Sequence, residues 1–538
     1  MRQDLSQGVT PHSTRVMNLA HLLTESARRL GPVTGFAWGA QSWSWAQMEA
    51  RANAFAQALI TDYGIAKGDR VLVQSANCNQ MFEAMFACWR VGAVWVPANF
   101  RLSPDDLGWL AEASGARFLL CGAPFAEHAR ACSPFVDATI AIGTADFGPD
   151  YEALVAQHMG KAPAPVAVQR DDPAWFFFTS GTTGKPKAAI LTHGQLAFVV
   201  TNHLCDLMPA TGPQDASLVV APLSHGAGIH QLAQVAHGVT TILPAAEKFD
   251  PAEIWSLVER WKVTNMFTVP TIVKLLVEHP SVDTHDHSSL RYVIYAGAPM
   301  YRADQIRASE KLGQVLVQYF GLGEVTGNIT VLPPCHHHTD DTQMRIGTCG
   351  FARTGMQVQI QDDQGRECAP GETGEIAVIG PAVFAGYFNN PDATAKSFRN
   401  GWFLTGDLGH MDSQGFVYLT GRASDMYISG GSNIYPREIE EKLLLHPDLS
   451  EVAVLGVPDP VWGEVGMAVC VPKSDAPPAP EAVLDWLSAQ IARYKMPRHV
   501  VFWSELPKSA YGKITKKMIR EELEARGQLP GQQPVQGA

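Results

Sequence analysis

Over roughly the first 150 residues, short apolar runs alternate with longer segments whose apolar positions recur three and four apart. Asp69-Arg70 leads into Val71-Leu72-Val73-Gln74, which reads as a short buried strand. Met81, Phe82, Met85, Phe86 and Trp89 follow at helical spacing, and after Gly92 comes a second run, Ala93-Val94-Trp95-Val96-Pro97. Strand, helix and strand in that order predict a mostly parallel, doubly wound sheet. The pattern returns at 117–121, 218–221, 266–269 and 292–295. A proline-rich stretch over 161–166 reads as a linker or surface loop.

From about Gly347 the texture changes. Glycine-rich turns separate short alternating strands, Val358-Gln359-Ile360-Gln361, Glu375-Ile376-Ala377-Val378-Ile379 and Phe416-Val417-Tyr418-Leu419, which predicts an antiparallel, β-rich subdomain. Beyond Ser424 the spacing predicts a shorter α+β unit with helices over 437–445, 480–493 and 515–525. The tail, 527–538, is rich in Gly, Pro and Gln and reads as disordered. The expected fold is therefore α/β: a large N-terminal domain, residues 1–423, of doubly wound sheets with a β-rich subdomain, and a small α+β C-terminal domain, residues 424–538.

Composition narrows the function classes. With 538 residues, 46% of them hydrophobic and 17% charged, the chain is large enough for more than one core. A formal charge of −12 argues against a nucleic-acid or anionic-membrane partner, either of which favours a basic surface. The nine cysteines include no CxxC pair and are odd in number, so they read as reduced thiols of a cytoplasmic protein. The first 17 residues hold no apolar core of a signal peptide. The longest uncharged stretch, 216–246, carries His225, His230, His237, Gln231, Gln234, Pro222 and Pro244, too polar and too broken for a membrane span.

The strongest chemical signal is Phe176-Phe177-Phe178-Thr179-Ser180-Gly181-Thr182-Thr183-Gly184-Lys185-Pro186-Lys187. An apolar strand runs into small hydroxylated residues and glycines, then lysines. Glycines let backbone N–H groups approach a phosphate, hydroxyls donate further bonds, and lysine adds charge. It is not a Walker A loop, because Gly184-Lys185 is followed by Pro186 and the glycine spacing is too short.

The segment resembles the phosphate-binding signature of the adenylate-forming superfamily, which includes acyl-CoA synthetases, luciferases and peptide-synthetase adenylation domains. The resemblance continues in order along nearly the whole chain. Pro222-Leu223-Ser224-His225-Gly226 resembles the motif whose histidine or aromatic residue orients the substrate carboxylate, the slot of His225. Tyr295-Ala296-Gly297-Ala298-Pro299 resembles the adenine-binding turn. In Gln318-Tyr319-Phe320-Gly321-Leu322-Gly323-Glu324, Phe320 matches the residue that stacks on adenine and Glu324 the Mg²⁺ ligand. Asp407, in Gly401-Trp402-Phe403-Leu404-Thr405-Gly406-Asp407, matches the ribose-binding carboxylate, and Arg422 a ribose or phosphate contact. Ser429-Gly430-Gly431-Ser432 resembles the loop that admits the pantetheine arm in the second half-reaction, and Lys513, in Tyr511-Gly512-Lys513, matches the catalytic lysine. Two positions depart from the pattern. Gly323 stands where a threonine usually contacts the α-phosphate, and Ser424 where the hinge is usually Asp or Lys.

The resemblance implies an AMP-forming carboxylic acid:CoA ligase using ATP, Mg²⁺ and CoA. Thr179, Ser180, Gly181, Thr182, Thr183, Gly184 and Lys185 would hold phosphates, and a mobile C-terminal domain would exchange Lys513 for the loop of Gly430 and Gly431 between half-reactions. A carrier-protein loading enzyme, a luciferase-like oxidase and a non-catalytic adenylate-binding protein on the same fold are the competing expectations. The absence of an appended carrier domain tilts the balance toward CoA. Small and apolar residues near 225–230, 296–298 and 326–329 imply a hydrophobic acid, medium-chain aliphatic or aromatic. A homodimer would be unsurprising. Cys335-His336-His337-His338 and the pair His285 and His287 read as polar surface loops rather than metal ligands, since consecutive residues cannot converge on one ion. Ser224-His225 lacks the GxSxG elbow of a hydrolase.

Overall fold

The computed structural model describes residues 18–179, 185–246, 248–298, 300–422, 424–508 and 514–530. Three sheets organise them. The first has six strands in the order Ala138–Ile142, Phe118–Gly122, Arg70–Gln74, Val94–Pro97, Pro173–Thr179 and Lys187–Thr192. All neighbours are parallel except the last pair, a hairpin that runs from Thr179 back to Lys187 across the phosphate loop. Strands Val94–Pro97 and Phe118–Gly122 are buried at every position, so this sheet is covered on both faces.

Local chemistry fixes the helices around it. Helix Asn79–Arg90 starts at Cys78, whose Sγ accepts a bond from the Met81 amide at 3.4 Å. Thr192 ends the hairpin and caps helix His193–Asp206 in a reciprocal box with Gln195. Gln195 Nε2 also donates to the Ala382 carbonyl at 2.7 Å, tying this helix to the segment that leads to Tyr387.

The second sheet has fourteen strands. Its parallel part runs Thr34–Trp38, Thr240–Leu243, Ala216–Val219, Asn265–Thr268, Tyr292–Tyr295, Leu316–Phe320. The β-rich segment expected after Gly347 continues this sheet as antiparallel strands Thr348–Ala352, Phe416–Arg422, Trp402–Met411, Gly374–Ile379 and Gln357–Gln361. The third sheet has five strands between Tyr427 and Phe502 and carries helices Pro436–Leu443, Pro480–Ser488 and Lys516–Ala525.

Some expectations need correction. The helix expected over 480–493 ends at Ser488, where the Gln490 amide turns back to the Leu487 carbonyl at 2.8 Å. The tail is packed at its start: Trp503 Nε1 donates to Gln528 Oε1 at 2.8 Å and Leu529 joins an apolar cluster, while 531–538 lie outside the described residues. His337 is not on a surface loop but is 1% exposed. Its Nδ1–H donates to the Pro333 carbonyl at 3.0 Å, and its Nε2 lies 3.0 Å from the Tyr295 hydroxyl. Burial holds it at about 4, so it is neutral at pH 7. Among the described residues no group of three His, Cys, Asp or Glu could hold a metal, and no helix is long and apolar enough to cross a membrane. All nine cysteines are free.

Candidate active site

The strand Pro173–Thr179 delivers Thr179 to the edge of the site, and Ser180, Gly181, Thr182, Thr183 and Gly184 lie outside the described residues. Thr179 Oγ1 donates to Glu324 Oε1 at 2.9 Å, and the Tyr387 hydroxyl donates to the same oxygen at 2.8 Å. Glu324 is only 8% exposed and sits in a short turn, Gly323–Val325, just past the strand Leu316–Phe320. Two hydroxyls on one oxygen fix the carboxylate while leaving its second oxygen lone pairs for a ligand. Burial, then the Glu324 charge, pushes the Tyr387 phenol above its ordinary value, so it remains a donor at neutral pH. Lys185 and Lys187 follow the loop, with Nζ atoms 5.2 Å from the ring centres of Trp109 and Tyr387 respectively.

Gly323 sits against Phe177. A Cβ at position 323 would stand 2.6 Å from Phe177 Cδ1 and 2.9 Å from Thr179 Cγ2. The volume of a threonine there is already occupied. The Phe177 ring meets His225 edge-on, with centres 5.6 Å apart. His225 stands at the N-terminus of helix Gly226–His237, and its Nδ1 is 2.7 Å from Ser224 Oγ. A helix start favours a nearby carboxylate, and Ser224 sets the angle of the ring.

Gly297, at φ +81°, makes the turn after strand Tyr292–Tyr295, a conformation other residues rarely take. Ala298 follows it, and Pro299 lies outside the described residues. The Tyr295 hydroxyl lies 3.0 Å from both Gln318 Oε1 and His337 Nε2, bracing this turn against the strand that carries Phe320. Asp407, 7% exposed, pairs across the sheet with Arg422, whose Nε is 3.1 Å from Asp407 Oδ1. Gly430 and Gly431, at φ +55° and +82°, form the hairpin between Tyr427–Ser429 and Ser432–Ile434. Trp462 packs on that hairpin: a Cβ on Gly430 would lie 2.4 Å from its ring, which is 45% exposed.

Thr179, Glu324 and His225 are thus brought to one place through Phe177, Gly323 and Tyr387, and Asp407 is joined to Arg422. Lys513 lies outside the described residues. Sequence reasoning missed Tyr387, Phe177 and Trp462. Nothing local marks Tyr387, which meets Glu324 only through the fold.

Comparison with known proteins places the chain in a family. The chain matches the AMP-binding enzyme family over residues 23–388 and the AMP-binding enzyme C-terminal domain over 438–513. It is 36% identical over 498 residues to a feruloyl-CoA synthase of an Amycolatopsis species, covering 92% of this chain and 97% of that one. It is 35% identical over 483 residues to an indoleacetate–CoA ligase of Aromatoleum aromaticum, covering 89% and 92%. The o-succinylbenzoate CoA synthetase of Bacillus subtilis, solved with its acyl-adenylate intermediate, superimposes with a TM-score of 0.82 at 29% identity, over 93% of this chain and 97% of that one. With both family models matched along one chain and relatives above 30% identity over nearly its whole length, the chain belongs to the AMP-binding, adenylate-forming enzyme family.

Proposed function

We propose that the protein is an AMP-forming carboxylic acid:CoA ligase of the cytoplasm, acting on a hydrophobic acid that is aromatic or medium-chain. The observation that carries this reading is Glu324, held by Thr179 and Tyr387 where the phosphate-loop strand ends. The feruloyl and indoleacetate ligases among its relatives favour CoA as acceptor and an aromatic acid as substrate.

Thr179 and the loop 180–184, with Lys185, would hold the ATP phosphates, and Asp407 with Arg422 the ribose. Phe320 would stack on adenine beside Gly297, Ala298 and Pro299. His225 would orient the acid's carboxylate toward the α-phosphate. The single carboxylate of Glu324, held at one oxygen by Thr179 and Tyr387, fits Mg²⁺, since one carboxylate plus phosphate oxygens is how this hard ion is commonly held. When bound, the ion would neutralise charge on the phosphates. Lys513 would stabilise the charge that builds between carboxylate and α-phosphate as pyrophosphate leaves. The C-terminal domain would then turn near Ser424, withdrawing Lys513 and presenting Gly430 and Gly431 to the incoming thiol. One opening cannot hold both, which is the physical case for two arrangements. The thiol sulfur bonds the acyl carbon and AMP departs.

The test is hydroxylamine trapping of the acyl-adenylate. A panel of acids with ATP and no CoA should give one hydroxamate with matching pyrophosphate. If no acid yields a hydroxamate while ATP still binds, the site is an adenylate-binding module without chemistry.

A further inference from the structure

Beside His225 the wall of the acyl site is Gly226, and the space in front of it is filled by the protein's own rings. A Cβ on Gly226 would lie 2.8 Å from Phe267 Cζ and 3.5 Å from the Tyr319 hydroxyl. On the opposite side a Cβ on Gly327 would lie 2.5 Å from Tyr319 Cε2. Phe267 and Tyr319 stack, centres 5.9 Å apart at 30°. Behind them the route is shut. His230 lies 5.9 Å from Phe267, and the guanidinium of the fully buried Arg353 lies 5.8 Å from the Tyr319 ring centre. Arg353 is itself tied to Asn328 and, at 3.5 Å, to Asp206. An ion-paired arginine does not step aside for an alkyl tail, because leaving its partners would strand a buried charge.

Tyr319 is 7% exposed, and its hydroxyl makes no hydrogen bond among the described residues. The Tyr295 hydroxyl, by contrast, is taken up by Gln318, His337 and Gln305, so of the two phenols it is Tyr319 whose hydroxyl is left to bond a ligand or solvent. Burial keeps the Tyr319 phenol protonated well above neutral pH, so it can both donate and accept.

We infer that Tyr319 ends the acyl pocket and selects its substrate: a compact acid, a single ring in size, whose far end carries a hydroxyl or carbonyl that bonds the Tyr319 hydroxyl. This rests on the ligase reading and narrows it, since a long unbranched chain has no path past Phe267 and Tyr319. The two rings offer flat apolar faces to a planar acid, and the Tyr319 hydroxyl offers it a polar contact.

The full-length enzyme is assayed for kcat/KM with para-hydroxybenzoate, benzoate, para-hydroxyphenylpropanoate, phenylpropanoate, dodecanoate and hexadecanoate. Acid binding is followed separately by quenching of intrinsic fluorescence. Wild type should prefer a hydroxylated ring acid over both fatty acids by at least about tenfold. Tyr319→Phe should cost that acid about tenfold and its unsubstituted partner less than about twofold, the loss expected of one neutral hydrogen bond. Tyr319→Gly should raise the fatty acids relative to the ring acids. Preference for hexadecanoate in wild type, or equal loss of both ring acids in Tyr319→Phe, overturns the inference. Because binding needs no turnover, tight binding of the hydroxylated acid without AMP release would sink the ligase reading alone.

Discussion

Restoring the threonine usual for the family at position 323 should harm this enzyme. Two effects compete in Gly323→Thr. A hydroxyl aimed at the α-phosphate would add one hydrogen bond to a charged group, worth about 1.5–3 kcal/mol, or roughly ten- to a hundredfold in rate. Against it stands the packing. The first atom of the new side chain would fall 2.6 Å from Phe177 and 2.9 Å from Thr179, closer than side-chain carbons are found in real structures. Overfilling of this kind costs about 1–3 kcal/mol of stability. The cost does not stop at stability. Phe177 leans edge-on against His225, and Thr179 holds Glu324, so relieving the clash displaces both groups that handle the reacting ends. A misplacement of about 1 Å can cost on the order of a hundredfold. The added hydroxyl gains only if it reaches its place, and the clash prevents that. Pyrophosphate release should therefore fall about ten- to a hundredfold, with urea unfolding weakened by about 1–3 kcal/mol. Phe177→Ala in the same chain should relieve the clash, and the double-mutant cycle should show a favourable coupling of at least about 1 kcal/mol. A single Gly323→Thr variant that is faster and no less stable would refute the reasoning.

Other changes have equally definite outcomes. Glu324→Gln keeps the shape and removes the charge, and should lower the adenylation rate about a hundredfold or more while ATP-free stability changes little, read by pyrophosphate release and thermal unfolding. Lys513→Ala should lower acyl-adenylate formation by about a hundredfold or more and leave thioester formation from supplied acyl-adenylate near wild type; unchanged pyrophosphate release would remove Lys513 from the chemistry. His193, His230 and His337 are buried, and burial holds each near 4, below the ordinary 6.5. The unfolded chain therefore binds more protons between those values, so stability should be full above about pH 6.5 and decline as pH falls toward 4, measured by urea unfolding across that window. A flat profile would mean these imidazoles are not held neutral.

Much of the site was readable because its parts are local. The phosphate loop announces itself by a run of phenylalanines followed by glycines and hydroxyls, and each strand of the parallel sheet is a short apolar run. What stayed hidden depends on contacts between distant segments. Tyr387 meets Glu324 across 63 positions, and only the fold of the 384–388 turn onto strand Lys187–Thr192 brings it there. Gly323 reads from sequence as a missing hydrogen bond, but its neighbour Phe177 lies 146 positions earlier, and the two together explain the glycine as a packing solution. His337 reads as a surface residue in a polar run, yet the Tyr295 hydroxyl, 42 positions away, gives it a buried partner. Helix Pro480–Ser488 stops early because a turn at Gln490, not a glycine or proline, ends it.

The most direct test of the central claim is a single-turnover experiment with enzyme in excess over ATP and an accepted acid, followed with and without CoA. Without CoA the enzyme should release pyrophosphate and retain acyl-adenylate. Adding CoA should convert that adenylate to equal amounts of AMP and acyl-CoA thioester. Pyrophosphate release followed by an adenylate that CoA neither consumes nor turns into thioester would contradict the claim, and would show that the acyl group is handed to another acceptor.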